Sequence, residues 1–175
     1  MGDHWGLVRK SIITLLLLAA AILGGRSVIG DAATEDGRVT RVVDGDTLKV
    51  HVAGREETVR VLGIDTPELH KPGTPVECGA RAAARAMERF AAGRRVELVT
   101  DPSQDERDRY GRLLAYVDGR RDLGEAMVRS GWAEVYVFED EPFARLDRYR
   151  AAARAARSAG RGVQSACGGD FHSAS

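Results

Sequence analysis

Residues 38–64 read RVTRVVDGDTLKVHVAGREETVRVLGI, and the turns inside that stretch decide the fold. Arg38 to Val43 is a short run rich in β-branched side chains, followed by Asp44-Gly45, a dipeptide favoured in tight hairpin turns. From Thr47 to Val52 the residues alternate. Leu48, Val50 and Val52 lie on one face, and Thr47, Lys49 and His51 on the other, which is the pattern of a half-buried strand. Ala53-Gly54-Arg55-Glu56 is a second turn, and Thr58 to Ile64 a third strand. Three strands joined by tight turns predict a β-meander.

Working outward, Leu69 to Val76 holds two prolines and a glycine and reads as a loop. Glu77 to Ala92 reads as a helix with apolar Ala82, Met87 and Phe90, an arginine stripe at 81, 85 and 89, and Gly93 as its stop. Arg95 to Thr100 is a fourth strand, Asp101 to Gly111 a charged loop, and Arg112 to Val117 a fifth strand. Asp122 to Ser130 and Glu141 to Ala159 are two further helices, the second with Pro142 near its start. Five short strands with a helix after the third match an α+β OB-fold: a five-stranded β-barrel with three helices. The domain is expected over residues 37–165, preceded by a linker over 31–36 and followed by a loose, Gly/Ser-rich tail over 166–175.

The chain has 175 residues, enough for one domain at roughly 100–200 residues each. Arg9 and Lys10 precede an uncharged run of 15 residues, 11–25, and small residues follow. A spanning helix needs about 20 apolar residues, so residues 1–30 read as a secretory signal peptide, with an uncleaved membrane anchor as the alternative. The expected location is extracellular or in the cell envelope, and membrane contact is expected only if the leader is retained. Residues 31–175 carry 23 positive and 25 negative side chains. That balance excludes recognition of nucleic acid by bulk positive charge, so any such function needs a local site. Cys78 and Cys167 are the two cysteines, and no CxxC exists. In an oxidising compartment the pair reads as a disulfide, and two free thiols are the alternative.

Three segments carry candidate chemistry. In Asp44-Gly45-Asp46-Thr47 the plain reading is a hairpin turn. Asp46, however, shares strand parity with Leu48 and Val50, and a carboxylate at the edge of an apolar face needs a cation or donors. In Arg60-Val61-Leu62-Gly63-Ile64-Asp65-Thr66-Pro67-Glu68, Arg60 shares parity with Leu62 and Ile64, so it too is expected to face the apolar side. An ion pair with Asp46 is the plainer account of it. The third segment, Asp108-Arg109-Tyr110-Gly111-Arg112, is either a charged surface loop or a second arginine aimed at the barrel mouth, with Tyr110 beside it. Together they offer aspartates for a hard cation, Ca²⁺ or Mg²⁺ and not zinc, two arginines for phosphate oxygens, and a glutamate for proton transfer. The histidines His4, His51, His70 and His172 form no metal-ligand spacing, and His70 reads as a loop residue.

VVDGDTLKV (42–50), VRVLGIDTPE (59–68), DRYGRLLAYV (108–117) and GEAMVRSGWAEVY (124–136), in that order and spacing, resemble the staphylococcal nuclease (thermonuclease-like) family. The resemblance implies a Ca²⁺-dependent endonuclease acting on DNA and RNA, and a monomer is expected. It implies that Asp46 and Asp65 ligate Ca²⁺ with the Thr66 carbonyl, that Arg60 and Arg112 bind the scissile phosphate, and that Glu68 activates water. Arg109 and Tyr110 match positions that contact a terminal phosphate, with arginine here in place of lysine, and Tyr136 lies near a further nucleotide-contacting tyrosine. Two departures stand out. Gly124 replaces an asparagine of the family's best-known member, and that member lacks the Cys78 and Cys167 pair. A non-catalytic OB-type nucleic-acid-binding module is the alternative of a different class. An oligosaccharide-binding barrel would need aromatic platforms, and only 6% of the residues are aromatic.

Overall fold

The computed structural model describes residues 32–70, 73 and 75–174, and the leader expected over residues 1–30 lies outside them. β1 (Thr34–Val42), β2 (Thr47–Val52) and β3 (Arg55–Val61) pair antiparallel in chain order, as the turn signals require. Leu48, Val50 and Val52 of β2 are buried while His51 is exposed, so the alternation sets the faces. β5 (Arg95–Val99) and β6 (Leu113–Asp118) complete a closed barrel in the order β1-β2-β3-β6-β5. β6 runs parallel to β3, and β5 is antiparallel to both β6 and β1. Closure leaves no long unpaired edge. A separate two-stranded ribbon pairs β4 (Ile64–Asp65) with β7 (Glu134–Val135).

Among the described residues the helices are α1 (Ala80–Ala91), α2 (Leu123–Ser130) and α3 (Leu146–Ser158), with a four-residue α4 (Val163–Ala166) after them. The architecture is thus an α+β OB-type barrel with three principal helices. α1 starts three residues later than the sequence predicts because Gly79 takes φ +84°, through which a right-handed helix cannot run. α3 starts five residues later than the sequence predicts because Glu141 is extended and the Ala144 N–H donates to Asp101 Oδ2 at 2.7 Å, which holds the approach to the helix against the neighbouring loop. Met87 of α1, Met127 and Val128 of α2 and Tyr149 of α3 are fully buried, and each such side chain contributes about 1.5–3 kcal/mol. Tyr149 packs edge-on against Phe143 at 5.4 Å and Tyr116 at 6.4 Å.

Two boundaries differ from expectation. Residues 34–36 belong not to a linker but to β1, where Thr34, Glu35 and Asp36 pair with Val99, Leu98 and Glu97. Their side chains are polar and exposed, so only the backbone reveals the strand. The tail is not loose either. Cys167 is bonded to Cys78, the Cys78 N–H donates to the Ser173 carbonyl at 2.8 Å, and Ala174 bridges to Glu77. The disulfide removes most of the tail's freedom, and the backbone bonds follow from that proximity.

Candidate active site

Arg60 is the centre of the site. It sits near the end of β3, opposite Thr47 of β2 and Leu114 of β6, on the face away from the buried Val59 and Val61. Its expected parity with Leu62 and Ile64 fails for a local reason. β3 ends at Val61 and the chain turns through Leu62 and Gly63, whose φ is +80°, so the strand's alternation does not extend to Leu62 or Ile64. A side chain at Gly63 would be strained, and its Cβ would stand 2.5 Å from the Phe143 ring. The turn lays Ile64, Asp65 and Thr66 over the guanidinium. Arg60 Nη1 donates to the carbonyls of Val61 (2.9 Å) and Ile64 (2.6 Å), and Nη2 donates to Asp65 Oδ1 at 2.6 Å. Asp46 Oδ2 lies 3.3 Å from the same Nη2, so the ion pair read from the sequence is present.

Asp46 is 6% exposed and fully supplied with donors. Thr66 N and Oγ1 donate to Oδ2 at 3.1 and 3.0 Å, and Thr47 Oγ1 donates to Oδ1 at 3.0 Å. Its own N–H donates to Asp44 Oδ1 at 3.1 Å. The local charge is unbalanced. Burial works to lower the Arg60 pKa, but Asp46, Asp65, Asp44 and Glu68 outweigh it and raise it. Burial, then the neighbouring Asp46, pushes Asp44 up to about 7. Burial pushes Asp65 up to about 6, with Arg60 pulling against it. One guanidinium facing several partly buried carboxylates leaves surplus negative charge on oxygen donors, which fits a hard divalent cation. A second donor set adjoins it: Asp65, Glu134 and His172 each offer an atom, all within 4.8 Å of one another.

The remaining expected residues lie around this centre. Arg112 immediately precedes β6, where Leu114 pairs with Arg60 in parallel register, so Arg112 lies two residues back along the strand on the same face. Its Nε donates to Asp108 Oδ2 at 2.6 Å, and Asp108 Oδ1 accepts the Tyr110 and Arg112 N–H groups at 2.9 and 3.0 Å. Burial works against the Asp108 charge, but these donors outweigh it and hold its pKa below the ordinary value. Tyr110 is 68% exposed, with the Arg109 and Arg112 guanidinium groups 4.8 and 5.3 Å from its ring centre. Tyr136 is 45% exposed, and its N–H donates to the Gly63 carbonyl at 3.0 Å, beside the turn that carries Asp65. Glu68 follows Asp65 by three residues, and its N–H donates to Glu77 Oε2 at 2.6 Å. Direct contact therefore joins Asp46, Arg60, Asp65 and Thr66. Arg112, Arg109 and Tyr110 form a second group on the neighbouring strand, and Cys78 and Cys167 stand at the far end of the loop that Glu68 opens.

Sequence reasoning missed Glu77, Glu134 and His172. His172 Nδ1 lies 3.3 Å from Glu77 Oε2, and Nε2 lies 3.1 Å from Glu134 Oε1 and 3.6 Å from Asp65 Oδ2. No spacing signals a contact across 95 residues. The one available hint was the cysteine pair, which brings residue 167 to residue 78.

Fold and site together define a class: an OB-type barrel that presents carboxylates for a hard cation beside arginines for an anion. A family model described as staphylococcal nuclease homologue matches residues 58–165, and the chain belongs to that family. It is 38% identical over 106 residues to the thermonuclease of Staphylococcus hyicus, covering 60% of this chain and 62% of that one. It is 37% identical over 120 residues to the thermonuclease of Staphylococcus intermedius, covering 69% and 68%. It is also 41% identical over 102 residues to endonuclease YncB of Bacillus subtilis (strain 168), covering 57% and 47%. The chain thus spans about half to two thirds of the length of these relatives.

Proposed function

We propose that the protein is a Ca²⁺-dependent endonuclease that hydrolyses phosphodiester bonds in DNA and RNA. The observation that carries this reading is the Arg60 guanidinium, pinned between Asp46 and Asp65, with Arg112 on the same face two residues before Leu114, its partner on β6. Asp46, Asp65 and the Thr66 carbonyl would hold the ion, which when bound supplies positive charge to the phosphate oxygens and to the attacking water. Flexible oxygen coordination suits Ca²⁺ better than the strict octahedron of Mg²⁺. Arg60 and Arg112 receive the phosphate. The Arg112 fork can donate two hydrogen bonds to its oxygens; both Arg60 Nη groups are held by protein oxygens, so Nη2 would turn to the phosphate as Asp46 and Asp65 turn to the ion. The two carbonyls at its Nη1 hold the Arg60 guanidinium in place as the phosphate gains negative charge. Glu68 accepts the proton of the attacking water. Arg109 and Tyr110 contact a terminal phosphate, and the exposed Tyr136 ring contacts the nucleotide.

Export fits the same reading. The apolar run at 11–25 supports a leader, and a disulfide persists outside a reducing cytosol. The test is incubation of the purified protein with DNA and with RNA, in Ca²⁺, in Mg²⁺ and in chelator. Fragmentation of both polymers in Ca²⁺, feeble in Mg²⁺ and abolished by chelator, is the expected result. Binding without cleavage under every condition would replace the enzyme with a nucleic-acid-binding module.

A further inference from the structure

Glu68 and Glu77 are joined by a reciprocal pair of hydrogen bonds. Glu68 N–H donates to Glu77 Oε2 at 2.6 Å, and Glu77 N–H donates to the Glu68 carbonyl at 3.0 Å. Both backbone polar groups of Glu68 are thus held by one residue, which fixes the point from which its side chain departs. Glu77 is itself 8% exposed, and a buried carboxylate keeps its place only while donors satisfy it. Its side-chain partners are the Glu68 N–H and the His172 ring at 3.3 Å.

His172 reaches Glu77 only through the tail. The Cys78–Cys167 bond anchors the segment beside Glu77. The bond from Cys78 N–H to the Ser173 carbonyl and the bridge between Glu77 and Ala174 lay the strand down. The His172 N–H donates to Asp170 Oδ1 at 3.0 Å and sets the approach of the ring, while Nε2 faces Glu134. We propose that His172 is a positioning residue for Glu68, acting through Glu77, and that the Cys78–Cys167 disulfide delivers it. The proposal rests on the reading of Glu68 as the base. Displacing a reacting group by about 1 Å can cost about 10²-fold in rate. Losing one supporting donor typically costs less, about 10-fold.

The experiment uses the purified protein, His172→Ala, His172→Asn, the Cys78→Ser/Cys167→Ser pair, and that pair combined with His172→Ala. Two quantities are read: oligonucleotide cleavage across substrate and Ca²⁺ concentrations, and hydrogen exchange at the Glu68 amide. His172→Ala should lower kcat about 10-fold with KM and the Ca²⁺ midpoint unchanged. His172→Asn, whose amide nitrogen can stand near the lost Nδ1, should recover most of it. The cysteine pair should match His172→Ala, and the combination should cost nothing further, because both act on one contact. Glu68 amide exchange should quicken in His172→Ala and return in His172→Asn. An unchanged kcat, multiplying losses, no recovery with asparagine, or a change confined to the Ca²⁺ midpoint would overturn the proposal, the last by assigning His172 to Asp65. If the parent does not cleave at all, the nuclease reading fails separately, and the Glu68 amide still decides. Unaltered protection in His172→Ala overturns the proposal, and lost protection with asparagine rescue supports it.

Discussion

Arg60 is held by two carbonyls and two carboxylates, and that fixity is why its replacement should be felt in the chemical step. Arg60→Ala should slow cleavage at least about 10²-fold, the scale of losing one preorganised donor to developing charge. Arg60→Lys should not rescue, because a point charge cannot span two phosphate oxygens. His70→Ala should be silent, since that ring is exposed and carries no assigned role. Rates at saturating substrate check all three. Asp44 and Asp65 give a pH dependence. Their folded pKa values, about 7 and about 6, lie above the unfolded value of 3.8. The folded metal-free protein therefore holds more protons than the unfolded chain across that interval, and its stability falls as pH rises through it. On the proposed reading Ca²⁺ would displace the Asp65 proton, so its stabilisation should grow over the same range. Urea midpoints in chelator should fall from pH 5 to pH 8, and Asp44→Asn should flatten the fall. A chelated midpoint that rises would contradict the assignment. Most of this site was legible because its residues are polar and clustered in three short segments. The facing of Arg60 was not, because β3 ends at Val61 and the turn through Leu62 and Gly63 breaks the two-residue period on which parity depends.

Among the elements, α2 shows how a short helix is held. Asp122 caps it by accepting the Glu125 N–H at 2.9 Å. The same carboxylate pairs with Arg145 at 2.6 Å and with Arg148, and accepts the Tyr149 hydroxyl at 2.7 Å. Asp122→Ala should cost about 2–4 kcal/mol, because it takes the acceptor from the buried Tyr149 hydroxyl as well as removing the cap, while Arg145 keeps Asp118 and Arg148 keeps Glu125. Chemical denaturation of the two proteins measures the loss, and a difference near zero would mean water replaces the carboxylate. Gly124, a departure from the family's best-known member, has a physical reason here. A Cβ at that position would stand 2.5 Å from the Tyr149 hydroxyl oxygen, so the helix packs closely on α3 only without a side chain. Strands with clean alternation were readable from sequence. The start of β1 was hidden because its pairing with β5 is made by backbone alone, and the start of α3 because a distant carboxylate, Asp101, takes the Ala144 N–H.

At the scale of the whole molecule the barrel closes through contacts distant in sequence, and the disulfide adds one more across 89 residues. A closed loop of that length corresponds to about 4–5 kcal/mol in the chain-entropy model, an upper figure. Reduction should therefore lower the unfolding midpoint markedly, and intact mass of the oxidised protein should be two hydrogens lighter. An unchanged midpoint would show that the tail contributes no stability. The barrel was legible from five strands and their turns. The path of the tail was not, because Gly- and Ser-rich composition carries no periodicity and its order comes from the Cys78–Cys167 bond together with the contacts of His172, Ser173 and Ala174 at residues 77 and 78. The central claim is that this barrel performs hydrolysis and not binding alone. Single-turnover cleavage of an end-labelled oligonucleotide by the parent and by Glu68→Gln, in Ca²⁺ and in chelator with binding measured separately, tests it most directly. The account predicts cleavage by the parent in Ca²⁺ only, and a loss of about 10²–10⁴-fold in Glu68→Gln with binding retained. Undiminished cleavage in chelator, a fully active Glu68→Gln, or a parent that binds and never cleaves would contradict it.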